Sequence, residues 1–166
     1  QNALFLKATE YIAKFLKISK NSSNIWEEKS FDYKKLKDEL DFFQTNYLNL
    51  LYPKLLSDNE KSVLTEEIDL LCKKVSSRPF YFTHRDYHSK NILYQNKKTY
   101  VIDFQDAMLG PAAYDLVSLI FDSYLDFTYK RRQILFKNSM TYLRQELELK
   151  IVEEIENTWQ VVLLQR

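Results

Sequence analysis

Apolar residues return every three or four positions along most of this chain, and that spacing predicts helices before any motif is considered. Leu4, Ala8, Ile12, Phe15 and Leu16 lie on one face of a helix over about 3–18, and the polar run from Ser19 to Ser30 breaks it. Leu36, Leu40, Phe43, Tyr47 and Leu50 form a second stripe that stops near Pro53, because proline disfavours helical geometry in the residue before it. Ser57 followed by Glu60 has the spacing of a capping box, and Leu64, Ile68, Leu71 and Val75 extend a third helix to Arg78-Pro79. From Phe80 the pattern changes. Ile92-Leu93-Tyr94 and Tyr100-Val101-Ile102 flank a polar stretch, Gln95-Asn96-Lys97-Lys98, as in a β-hairpin. Helical spacing resumes after Gly110-Pro111, with Pro111 suited to a first helical position and Leu116, Leu119 and Ile120 on a helix over 112–124. Phe136, Met140, Leu143 and Leu147, then Val152, Ile155, Trp159 and Val162, predict one or two closing helices. The fold class is mainly α with a small β-hairpin, in a single domain over 1–166.

Composition narrows the function. The 166 residues are 45% hydrophobic and 28% charged, with a net charge of +1 spread along the whole length. No basic block marks a nucleic-acid partner, and no apolar run is long enough to span a membrane. The single cysteine, Cys72, excludes an internal disulfide and fits a core position in a reducing, cytoplasmic compartment. The N-terminus lacks an initiator Met, a basic n-region and a signal-type apolar core, and reads as a cut edge. Gly110 is the only glycine, so neither a Walker A loop nor a Gly-rich phosphate-covering loop is present.

The candidate chemistry lies in 83–94, Thr83-His84-Arg85-Asp86-Tyr87-His88-Ser89-Lys90-Asn91-Ile92-Leu93-Tyr94, and in 100–111. Phosphoryl transfer needs an acceptor hydroxyl held in line with the γ-phosphate and cations that cancel charge on the phosphate oxygens. Asp86 is a candidate base for that hydroxyl. Asn91, five residues on, and Asp103, at the end of an apolar run, supply compact oxygen ligands for Mg²⁺ beside the phosphates of ATP. Asp and Asn also populate ordinary turns, where they bond neighbouring backbone. It is the ordered spacing of several elements that favours a site.

His84-Arg85-Asp86, Asn91, Ile102-Asp103-Phe104 and Gly110-Pro111 with Asp115-Leu116 together resemble the C-terminal lobe of the aminoglycoside phosphotransferase and choline kinase superfamily. That resemblance implies a kinase-like fold without its N-terminal lobe, the missing lobe supplying the phosphate-covering loop and the Lys that pairs with the phosphates. It makes Asp86 the catalytic residue, Asn91 and Asp103 the metal ligands, and Asp115 an anchor of the catalytic loop. His84 and Arg85 become supports of that loop. Only five residues separate Phe104 from Gly110, too few for a protein-kinase activation segment, and Gln105 replaces the glycine of the DFG motif. Arg85 therefore has no activation-loop phosphate to grip, and a peptide acceptor is disfavoured.

Within the superfamily, Asp103-Phe104-Gln105-Asp106-Ala107-Met108-Leu109-Gly110-Pro111 and Tyr114-Asp115-Leu116-Val117-Ser118-Leu119 are most similar to bacterial kinases of N-acetylmuramate and N-acetylglucosamine. An acidic-aromatic helix like Glu39-Leu40-Asp41-Phe42-Phe43 belongs to the same resemblance. It implies ATP and a sugar acceptor as partners, with no nucleic acid and no membrane. His88, Gln105 and Asp106 are candidate substrate contacts, though each could equally cap its own loop. Aminoglycoside or choline is the alternative acceptor, for which Glu146, Glu148, Glu153 and Glu154 are the available carboxylates. A kinase-like binding module without catalysis is the alternative of another class. Lys90 and the triplet Lys130-Arg131-Arg132 read as solvated side chains.

Overall fold

The structure, a computed structural model, describes residues 2–18 and 30–165. The break expected over 19–29 lies outside the described residues. Helix α1 (Asn2–Ile18) packs against β1 (Phe80–Thr83), α4 (Tyr114–Ile120) and α5 (Tyr129–Glu146). Helix α2 (Tyr33–Phe43) packs on α3 (Asp58–Ser76), and α6 (Leu149–Gln165) closes against α3, α4 and α5. Asp32 caps α2 through the Lys35 N–H, and α3 starts with the expected box, Ser57 and Glu60 bonding each other's backbone N–H.

The second stripe behaves differently from its spacing. Leu36 is buried and Phe43, at the end of α2, is exposed; beyond it Tyr47 and Leu50 are exposed because residues Gln44–Leu51 wind as a π-helix. Bonds from i to i+5 turn the chain less per residue than an α-helix, so a 3.6-residue stripe drifts off the core and Leu48 takes the inward position.

Two antiparallel strand pairs replace the single expected hairpin. β2 (Ile92–Gln95) and β3 (Lys98–Val101) form that hairpin, with Leu93 opposite Tyr100. Asn96 and Lys97 both have positive φ, the type I′ geometry whose twist suits a two-residue connection. The second pair, β1 with β4 (Met108–Pro111), sets Phe80 opposite Pro111 and Tyr81 opposite Gly110. A parallel bridge from Ser30 to Leu109 adds to its edge, with the Phe31 N–H on the Leu109 carbonyl at 2.7 Å. Pro111 thus ends a strand and does not open a helix. α4 begins at Tyr114 and stops at Ile120, short of the 112–124 expected. Gly110 permits the close approach of β1, since a Cβ there would sit 2.9 Å from Thr83 Oγ1.

Every residue from Pro111 to Ile120 is buried, which makes α4 the centre of the core. Around it lie Ile12 and Leu16 of α1, Cys72 of α3, Met140 and Leu143 of α5, and Ile155 of α6. Burial pushes the Cys72 thiol up, as expected of a core cysteine. The triplet at the start of α5 departs from its solvated reading at Arg132, whose guanidinium donates to the carbonyls of Ile120, Asp122, Leu125 and Phe127. It closes the C-terminal end of α4, where backbone carbonyls lack helical partners. Among the described residues no helix is long and apolar enough to cross a membrane.

Candidate active site

The loop between β1 and β2 is held at both ends by buried carboxylates. Asp115, the second residue of α4, accepts the His84 N–H at 2.7 Å on one oxygen and the Arg85 N–H at 3.0 Å on the other. Asp122, just beyond α4, accepts the N–H groups of Ser89 and Tyr124, both at 2.7 Å. Burial alone would raise the Asp122 carboxyl, but the bonds from Ser89 and Tyr124 outweigh it and hold it below the usual range. Between these anchors Tyr87 is fully buried and donates its hydroxyl to the Ala8 carbonyl at 2.7 Å. The loop is therefore pinned to α1 as well.

Asp86 sits in the middle with nearly half its side chain exposed, and each carboxylate oxygen has one partner. Asn91 Nδ2 donates to Oδ2 at 2.8 Å and to the Asp86 carbonyl at 3.0 Å. His88 Nε2 lies 2.9 Å from Oδ1. Asn91 is buried on the 3₁₀ turn Ser89–Asn91, and its backbone carbonyl accepts the Ile102 N–H at 3.1 Å. That bond brings Asp103 alongside the loop. Asp103 has φ 69°, an uncommon left-handed geometry for a residue with a side chain, and its carboxylate is exposed. Among the described residues neither the Asp103 carboxylate nor the Asn91 amide oxygen takes a hydrogen bond.

His84 links the two segments from beneath. Its Nε2–H donates to the Ile102 carbonyl at 2.9 Å, and its ring lies against Phe15 and Tyr87. Burial lowers its pKa below the usual 6.5, against the opposing pull of the Ile102 carbonyl, Asp86 and Asp103. As a neutral donor to the Ile102 carbonyl, His84 joins the two segments. The sign of the pH dependence follows. The unfolded chain takes up this proton at higher pH than the folded one, so stability falls as pH drops below about 6.5 and levels off below the folded-state midpoint. An NMR titration of the full polypeptide is expected to give a His84 midpoint below 6.5; a midpoint at or above it contradicts this picture.

The other candidates divide. His88 is gathered to Asp86 and packs its ring on Tyr124. Lys90 is not simply solvated, because its ammonium lies 3.6 Å from the Tyr124 ring centroid. Gln105 and Asp106 occupy the exposed turn after Asp103 and make no hydrogen bond among the described residues, so no contact ties them to Asp86. Two residues escaped the sequence reading as parts of the site. Asp122 has no motif spacing that would mark it, and Glu39 was noted only within an acidic-aromatic helix, yet it lies 2.6 Å from Arg85.

Residues 24–138 match the Phosphotransferase enzyme family (APH). The chain belongs to this family. Three curated relatives carry the name N-acetylmuramate/N-acetylglucosamine kinase. The one from Pseudomonas putida is 26% identical over 78% of this chain and 37% of its own length. The one from Neisseria meningitidis serogroup B is 27% identical over 58% and 29%, and the one from Pseudomonas aeruginosa 36% over 38% and 19%. The chain thus spans less than two fifths of these relatives. Among solved structures, the amicoumacin kinase hAmiN in complex with AMP-PNP, Ca²⁺ and Ami superposes with a TM-score of 0.70 at 17% identity, over 100% of this chain and 49% of that one. The fold is that of a kinase-like C-terminal lobe.

No cluster of three His, Cys, Asp or Glu able to hold a metal occurs among the described residues. The donor set suits Mg²⁺ nonetheless, because that ion takes one or two protein carboxylates and fills its shell with phosphate oxygens and water. The uncommitted oxygens of Asn91 and Asp103 fit such a shell.

Proposed function

We propose that the polypeptide containing this chain transfers a phosphoryl group from ATP to a hydroxyl of an amino sugar of the N-acetylmuramate or N-acetylglucosamine kind, in the cytoplasm and in the service of cell-wall recycling. The observation that carries this reading is the Asp86 carboxylate, partly exposed and gripped on both oxygens by Asn91 and His88, on a loop that two buried carboxylates hold in place. Such a carboxylate orients a hydroxyl and accepts its proton as the phosphoryl group arrives. Asn91 and Asp103 would hold Mg²⁺, which when bound neutralises charge on the phosphate oxygens. Asp115, His84 and Arg85 keep the loop in register. The exposed apolar pair Leu93 and Tyr100, with Ile102 and Phe104 beyond, offers a docking face for the rest of the polypeptide.

The acceptor preference has support in two adjoining cavities. One of about 210 Å³ is lined by His88, Ser118, Asp122 and Tyr124. It shares Phe121 and Leu163 with a larger cleft of about 720 Å³ walled by Tyr129, Gln133, Phe136, Trp159 and Gln160. Arg132 is in that wall and no carboxylate is. Aromatic faces and amide side chains suit a sugar ring with an N-acetyl group, while a polycationic antibiotic would meet Arg132 in the larger cleft and, in the smaller cavity, an Asp122 already engaged by the Ser89 and Tyr124 N–H groups. Two of the carboxylates considered for a cationic acceptor are engaged elsewhere, Glu146 with Lys17 at 2.9 Å and Glu154 beside Arg78 at 3.7 Å.

The test is ATP consumption by the full polypeptide with Mg²⁺ and, in turn, N-acetylmuramate, N-acetylglucosamine, aminoglycosides and choline. Turnover confined to the N-acetyl sugars supports the proposal. Turnover with a cationic acceptor instead overturns the acceptor, and nucleotide binding without transfer to any of them favours a binding module.

A further inference from the structure

We infer that Glu39 is a positioning residue for the transfer step, fixing Arg85 from α2 and, through Arg85, the backbone that carries Asp86. This rests on the role proposed above for Asp86. Arg85 immediately precedes Asp86 and has φ 69°, a conformation that residues with a side chain hold only when their surroundings enforce it. Its N–H is taken by Asp115, and its guanidinium lies 4.5 Å from the centroid of the Phe31 ring. Glu39 Oε1 is 2.6 Å from Nη2, and Glu39 Oε2 is 3.4 Å from the Gln165 amide.

Only 15% of the Arg85 side chain is exposed. A cation so far out of water needs partners, and Glu39 supplies a carboxylate beside the contact with Tyr114, so removing it leaves the charge less well compensated. Burial works against the guanidinium, but Tyr114 and Glu39 together outweigh it and hold its pKa above the usual value. In protein kinases, phosphate groups on the activation loop order that loop through new pairs with Arg. The five residues between Phe104 and Gly110 leave no room for such a loop here. Glu39, 46 positions away in sequence, places a side-chain carboxyl group against Arg85 instead. The loop is set without any covalent signal.

The experiment compares Glu39→Gln, Glu39→Asp, Arg85→Gln and the double variant Glu39→Gln/Arg85→Gln in the full polypeptide. Asp38→Asn, an exposed site on the same helix, is the control. Glu39→Gln is expected to lower kcat about 10–100-fold, the scale of a misplaced reacting group, with the KM values for ATP and acceptor changed less than about twofold. Glu39→Asp recovers part of the loss, and the double variant is no worse than Arg85→Gln alone. Amide hydrogen exchange over 84–91 should rise in Glu39→Gln while α2 and α6 keep their protection. A wild-type kcat in Glu39→Gln, additive losses in the double variant, or exchange that rises across the whole lobe each overturns the inference. If the wild-type protein transfers no phosphoryl group, the proposed activity falls, and the exchange measurement alone decides whether Glu39 holds the loop.

Discussion

Asp86→Asn is expected to lower kcat for phosphoryl transfer about 10²–10⁴-fold while leaving the protein folded. The substitution preserves shape but removes the group that would accept the hydroxyl proton. It also sets an amide against Asn91 Nδ2, which now donates to Asp86 Oδ2 at 2.8 Å. Because 45% of the Asp86 side chain is exposed, water can repair much of that mismatch, and the loss of stability should stay near 1 kcal/mol. Steady-state kinetics and a thermal melt on the same preparation separate the two effects. A variant with near wild-type turnover would remove Asp86 from the chemistry.

Asp115→Ala should do the most damage to stability. Its buried carboxylate takes two backbone N–H groups of the Asp86 loop, and hydrogen bonds to a charged group contribute about 1.5–3 kcal/mol each, so the expected loss is about 3–6 kcal/mol. Of the two N–H groups left behind, the one at His84 has no water to turn to, because that residue is buried. Asp115→Asn keeps one acceptor oxygen and should lose roughly half as much. Urea denaturation of the full polypeptide measures the difference. An Asp115→Ala protein as stable as wild type would mean that the loop is held by its other contacts.

Helices α1, α3, α5 and α6 could be read from spacing because each turns one stripe to the core, and the start of α3 could be read to the residue because Ser57 and Glu60 form a local motif. The π-helical turn could not, since Gln44–Leu51 carries no signal distinguishing i to i+5 bonds from a longer α2. β1 and β4 were missed for a different reason. Each is four residues long, they pair across more than twenty positions, and β4 ends in glycine and proline, which are scarce in strands. The residues around Asp86 showed themselves through fixed spacing within one loop, whereas Glu39 and Asp122 reach that loop only through tertiary packing. Charged residues on distant helices look alike in sequence whether they face water or a buried arginine.

Asp115 and Asp122 are seven positions apart, one at the start of α4 and one just past its end, and they grip opposite ends of the Asp86 loop. The Asp86 loop accordingly borrows its stiffness from the most deeply enclosed helix of the lobe. In mechanical terms the interior is the bench to which the Asp86 loop is clamped. A methyl group added or lost beneath α4 would therefore shift the position of Asp86.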